Sequence, residues 1–287
     1  MQERRKRKST AYHSTPRNTQ RKRRNRKRRK RSLLRRVVLV GIAVACLVAV
    51  TRTLQKSVKR ASWKQDDTQT EVSMVDTVHS HEHDYPESLQ QLLKRNPETA
   101  QFVYDYPWEK DEKHEIDLSG EVTKGEVPLF LQWDERWGYE TYGSDMIAIT
   151  GCGPTCLSMV ICGVTGSTEW SPLDVAQYAG ENGYYAEGAG TTWTMMSRGA
   201  AAMGLQATEL SLSDNEIRSQ LEAGNPIICT MGPGDFTNSG HFIVLSREDE
   251  DGTIQVRDPN SKKNSEKGWN LQDLMDQMQN LWAYTAA

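Results

Sequence analysis

The first sixty residues carry a single acidic side chain, Glu3, against 22 Lys and Arg. Residues 61 to 287 reverse the balance, with 37 Asp and Glu against 14 Lys and Arg, so a formal net charge of −2 conceals +21 followed by −23. That split excludes one compact domain, because like charges would have to pack together in either half. The basic stretch also lacks aromatics, Tyr12 being the only one. Counterion release could draw it to nucleic acid, but without stacking residues, and beside an apolar run, nucleic acid is disfavoured as a partner. No Gly-rich phosphate loop ending in Lys-Ser/Thr is present, and only one apolar run is long enough to consider for a bilayer. Histidine is scarce too. From residue 127 onward there is only His241, so any imidazole acid–base chemistry there has one candidate.

Arg21 to Arg31 holds ten Lys/Arg in eleven residues, and residues 1–32 read as a disordered basic tail that cannot bury apolar surface. Val37 to Val50 is free of charge for fourteen residues, about 21 Å of helix. Extended from Leu33 to Leu54 it reaches about 33 Å, enough for a hydrocarbon core of roughly 30 Å if Arg35, Arg36 and Arg52 snorkel to the headgroups. Residues 33–54 are therefore expected to form one transmembrane anchor, and the apolar run continues past Cys46, against cleavage there. The positive-inside rule puts the tail in the cytoplasm, against anionic lipid, and the acidic remainder outside the membrane. Residues 55–84 read as a flexible stalk, with His79-Ser-His-Glu-His83 a solvated tract without the scaffold of a metal site. Residues 85–126 form a helical preface: Leu89, Leu92 and Leu93 make a stripe, Pro97 opens a second turn, and Phe102 and Val103 are placed to dock on the main domain.

Residues 127–287 are long enough for one domain with its own core. Val127 to Leu131 reads as a strand. A helix runs from Pro154 to Cys162 with Gly163 as its stop, and Ser171-Pro172 opens another through Glu181. Thr192 caps a helix to Met203, and Ser213 with Glu216 forms a capping box. Strands occupy 227–231, 241–245 and 253–257, and a helix runs from Asn270 through about Asn280. Helices followed by strands indicate an α+β domain, a helical lobe packed against an antiparallel sheet with a cleft between them.

Cys152 lies between Gly151 and Gly153, ahead of a helix whose first turn is set by Pro154. Unpaired N–H groups and the helix dipole favour its thiolate, and the glycines would let a substrate backbone approach. Cys156, Cys162 and Cys229 fall inside elements and read as small buried hydrophobes. His241 heads an apolar strand, and Asp258 ends the next one, seventeen residues on. Adjacent antiparallel strands would bring that carboxylate beside the imidazole; Asp258-Pro-Asn260 is also ordinary turn chemistry.

Gly151-Cys-Gly-Pro-Thr-Cys-Leu-Ser-Met-Val160, Gly240-His-Phe-Ile-Val-Leu245 and Val256-Arg-Asp-Pro-Asn260, in that order, resemble the papain-like cysteine peptidases. More closely, they resemble the bacteriocin-processing peptidase family, cysteine peptidase family thirty-nine, and its stand-alone surface-anchored relatives. The resemblance runs from about Tyr85 to the C-terminus. It implies a papain-like fold and a peptide or protein substrate, with Cys152 as nucleophile, His241 as general base and then acid, and Asp258 as orienting group. It also implies a glutamine at the oxyanion hole, and Gln132 is the matching candidate, although it stands twenty residues before Cys152, farther than the family's pattern. Cleavage of an export leader is not implied, since the transporter and ATP-binding segments are missing. Thr192, Trp193, Gly232, Asp235 and Gly240 are candidates for the cleft walls, and equally for helix capping and hairpin packing. No cofactor is called for. A peptide- or cell-wall-binding module of the same fold, or an acyltransferase with the same three residues, are the alternatives.

Overall fold

The structure is a computed structural model and describes residues 37–52, 54–55, 57–58 and 70–287. The chain divides into two units, Met1–Gln65 and Asp66–Ala287. In the first, residues 37–52 are helical, with exposed apolar side chains such as Val37, Leu39 and Leu47. Among the described residues no helix is long and apolar enough to cross a membrane. The expected anchor, 33–54, includes residues 33–36 and 53, which lie outside the described residues, as does the whole expected tail at 1–32.

The second unit opens on three helices, α1 (Glu71–Ser80), α2 (Glu87–Arg95) and α3 (Ala100–Glu109). Helix α1 differs from the flexible stalk expected through residue 84. Its N-cap Thr70 accepts from Ser73 N, and it packs on α3 with Val78 buried. The three histidines nearby find separate partners: His79 lies beside Glu82, His83 beside Asp84, and Nδ1 of His81 beside the carbonyl of Thr77. In α2 the expected stripe of Leu89, Leu92 and Leu93 is buried, as are Phe102 and Val103 in α3.

The centre of the unit is helix α4 (Cys152–Thr165), buried almost throughout and paired with α5 (Pro172–Glu181). Gly163 does not end α4. A Cβ there would come within 2.9 Å of Val127 Cα, so this glycine admits the 126–127 segment against the helix. The stop comes at Gly166, whose φ of 77° supplies the left-handed cap. Val127 to Leu131 joins no sheet: Arg257 Nε donates to Val127 O, and Phe130 N lies 3.2 Å from Met159 Sδ. Helical backbone begins at Trp193 and passes through a π turn at Met195–Gly199. Helix α6 (Asp214–Glu222) starts after Ser213 without a side-chain cap bond, whereas Ser171 and Asp174 form the reciprocal capping box at α5.

The sheet comprises β1 (Leu205–Glu209), β2 (Ile227–Met231), β3 (His241–Glu248), β4 (Ile254–Arg257), β5 (Gly268–Trp269) and β6 (Met278–Ala286). All pairs are antiparallel, in the order β1-β6-β2-β3-β4-β5. Two short helices complete the fold, α7 (Lys262–Glu266) and α8 (Leu271–Met275). The helix expected to run from Asn270 to about Asn280 stops early because residues 278–286 are drawn into β6, the strand between β1 and β2. Alternate residues of β2 and β3 enter two cores. Ile228, Phe242 and Val244 pack with α4, while Ile227, Cys229, Ile243 and Leu245 pack with Ile217 of α6 and Leu271 and Leu274 of α8. Both sheet faces are therefore covered, which is why these strands read as unbroken apolar runs instead of alternating ones. The architecture is α+β, helices packed on an antiparallel sheet.

Candidate active site

Cys152 is the first residue of α4, and Gly151 is its N-cap. N–H groups in a first helical turn have no carbonyl to receive them within the helix, and the positive end of the dipole lies there. The flanking glycines make room for the protein itself rather than for a substrate: a Cβ on Gly151 would come within 2.5 Å of Ile147, and one on Gly153 within 2.6 Å of Thr191 Oγ1. They let α4 seat deeply, with the sulfur half-buried at its tip.

His241 begins β3, and Asp258 directly follows β4. The pairing of Val244 with Arg257 sets the register, so both residues emerge at the same end of the sheet. His241 Nε2 lies 2.8 Å from Asp258 Oδ1, with both side chains buried. That leaves Nδ1 to serve Cys152, which lines the same two cavities as the ring. Imidazole and carboxylate are thus hydrogen-bonded, beside the Cys152 thiol.

The electrostatics separate this thiol from the others. Burial alone would push Cys152 up; the hydrogen bond and charge of His241, then N–H donors from Phe242 and Gly153, outweigh it and hold the thiol below its ordinary value. Cys156 and Cys229 are pushed far up by burial, and Cys162 to about 11. His241 also feels burial against its charge, yet Asp258 beside it, with hydrogen bonds to Asp258 and Cys152, lifts it to about 10. An imidazolium beside a thiolate is the state this arrangement favours.

Residues after Asp258 complete its surroundings. Oδ1 also accepts from Asn260 N and Oδ2 from Asn264 Nδ2, each at 2.8 Å, while Asp258 N donates to Ser265 Oγ. Nothing in the spacing of Asn264 and Ser265 marks them in the sequence; only the turn of α7 brings them back to Asp258.

Two cavities flank the sulfur, of about 360 and 550 Å³, and share Ile149, Cys152, Ser239, Gly240 and His241. The smaller also contains Gln132, Asp235 and, from α2, Leu92 and Arg95. In the sequence Leu92 belongs to an apolar stripe, and Arg95 carries no signal at all. The larger contains Trp193, which packs edge-on against Trp282. Thr192 and Gly232 line neither cavity. Thr192 N donates to Tyr184 O and its hydroxyl pairs with Thr194, while Gly232 N donates to Gln277 O. Gln132 is buried in the smaller cavity, its backbone N donating to Pro259 O and its Nε2 to Ala148 O at 2.7 Å. Its Oε1 has no hydrogen-bond partner among the described residues.

A comparison with curated proteins finds no match. The Peptidase_C39 like family does match, over residues 124–287, taking in α4, the whole sheet and the Cys152, His241 and Asp258 positions. With more than half its length matched, this chain belongs to the Peptidase_C39 like family, and its second unit carries a papain-like peptidase domain.

Proposed function

We propose that the chain is a cysteine peptidase held at the membrane by residues 33–54, with its peptidase domain outside and its substrate a peptide or protein. The observation that carries the catalytic part is the hydrogen bond of His241 to Asp258 beside Cys152, the one thiol of the domain held below its ordinary value. In this reading the Cys152 thiolate attacks the scissile carbonyl carbon, forming a C–S bond as the carbonyl electrons move to oxygen. Backbone N–H groups at the start of α4 meet that oxyanion, and Gln132 adds one from Nε2, which carries a second hydrogen besides that given to Ala148 O. His241 gives its Nδ1 proton to the departing amine as the C–N bond breaks. It then takes a proton from water, whose oxygen displaces the sulfur from the thioester and frees the acid. Asp258 keeps the ring oriented and steadies its positive charge throughout.

The pH dependence tests this reading. Below the lowered Cys152 value the sulfur is protonated and the nucleophile is lost; above about 10 His241 gives up its proton and the leaving amine lacks its acid. Hydrolysis of a mixed peptide library should therefore hold a plateau that begins below the ordinary thiol range and ends near pH 10. A rate that climbs only through an ordinary thiol limb near ~8.5 would contradict it.

Anchoring rests on the uncharged run from Val37 to Val50 and on the basic excess before it, which would also hold anionic lipid at the cytoplasmic face. A charged, membrane-impermeant thiol reagent should label Cys152 in intact cells. Labelling that appears only after permeabilisation would place the domain on the other side.

A further inference from the structure

The segment that matches the family begins at residue 124, yet the turn carrying Asp258 is tied to residues well before it. Glu98 Oε1 accepts from Ser261 Oγ at 2.6 Å, and its Oε2 from the backbone N–H of Lys262 at 2.9 Å and Lys263 at 3.3 Å. Two residues earlier, Asn96 Nδ2 donates to Asn260 O, a carbonyl that also accepts from Trp133 Nε1. The same short stretch supplies every hydrogen bond to the Asp258 carboxylate except that of His241, through Asn260 N and Asn264 Nδ2. Ser265 Oγ, which accepts from Asp258 N, donates in turn to Ser261 O. Glu98 thus holds the start of the turn whose other end holds Asp258.

Glu98 is itself firmly placed. Asn96 Oδ1 accepts from Glu98 N, Thr99 Oγ1 donates to Asn96 O, and both Asn96 and Thr99 are buried. On either side the preface is locked by apolar packing: Leu92 and Leu93 before it, and after it Phe102, stacked on Tyr139 at 4.2 Å, whose hydroxyl donates to Phe102 O. Without Glu98, two first-turn N–H groups of α7 and the Ser261 hydroxyl lose their acceptor.

We propose that Glu98 is a positioning residue, acting through Ser261, Lys262 and Lys263 to keep Asp258 on His241, so that the preface is a working part of the site and not a spacer. The inference rests on the reading of Cys152 and His241 as the reactive pair, and the test separates the two. Full-length protein is treated with iodoacetamide at pH 6 and pH 9, and alkylation of Cys152 is followed by mass spectrometry of its peptide. The wild type should react faster at pH 6 than an ordinary thiol does. In Glu98→Gln the ratio of the pH 6 rate to the pH 9 rate should fall about tenfold, as a looser Asp258 lets the thiol drift back toward its ordinary range near ~8.5. A purely structural role would lower the melting temperature without moving that ratio. If Glu98→Gln fails to fold, Ser261→Ala, which removes one of the three contacts, is read the same way. An unchanged ratio in a folded variant overturns the inference. A wild type whose Cys152 reacts at pH 6 no faster than an ordinary thiol overturns the peptidase reading instead.

Discussion

Cys152→Ser is expected to lower kcat/KM on a peptide substrate by about 10⁴- to 10⁶-fold, the loss typical when a nucleophile is removed from a hydrogen-bonded catalytic set. The exchange is nearly isosteric, so the helix start and its glycine contacts remain. What changes is the proton inventory. In the wild type His241, lifted to about 10 by Asp258 and by Cys152 itself, carries its proton through the neutral range beside the sulfur. A thiol lowered by that same imidazolium has already given up its proton; a hydroxyl, much less acidic, has not. Cys162→Ala is the matching control, being buried in α4 and pushed up by burial, and it should leave the rate unaltered. Hydrolysis by Cys152→Ser within tenfold of the wild type would remove Cys152 from the mechanism.

The second large effect is expected at Asp258, where the alanine variant should lose about 10²- to 10⁴-fold in kcat, the share that general acid–base catalysis supplies. Asp258 is buried and its two oxygens accept three hydrogen bonds, from His241, Asn260 and Asn264. Removing them strips His241 of the partner that offsets burial, the largest influence on it, and burial favours the neutral ring. The imidazolium is lost, and with it the thiolate. The rate should then rise with pH along an ordinary thiol limb. Asp258→Asn keeps one oxygen for the ring N–H without the charge, and should fall between the two. Equal activity in alanine, asparagine and wild type would show that His241 needs no orienting group.

Much of this domain is legible residue by residue. Cys152, His241 and Asp258 stand out because each is unusual where it occurs: a thiol between glycines before a helix, the one histidine of its domain, and a carboxylate closing the strand after it. The strands at 227–231 and 241–245 show in short β-branched and apolar runs, and the structure extends the second to Glu248. Other expectations fail where distant contacts outweigh local preference. Gly163 has the look of a helix stop, but the close pass of Val127 gives it a different task. Ser213 and Glu216 have the spacing of a capping box, yet Ser213 makes no side-chain cap bond. Residues 278–280, helical by pattern, are claimed by β2, against which Met278 and Asn280 pair.

Chain order and residue chemistry alone were enough to bring forward Cys152, His241 and Asp258 as candidates and to indicate the α+β class and the division of charge between the two ends, since each of these is carried by neighbouring side chains or by simple periodicity. Tertiary structure supplied the groups that hold the Cys152 thiol down against burial, His241 first, which the sequence leaves nearly ninety residues away. It also decided that Leu92 and Arg95 of the preface share a cavity with Cys152, and that Glu98 holds a turn more than 160 residues away. Hydrogen bonds across such separations leave no periodic trace; they exist only once packing has brought their donors and acceptors to within about 3 Å.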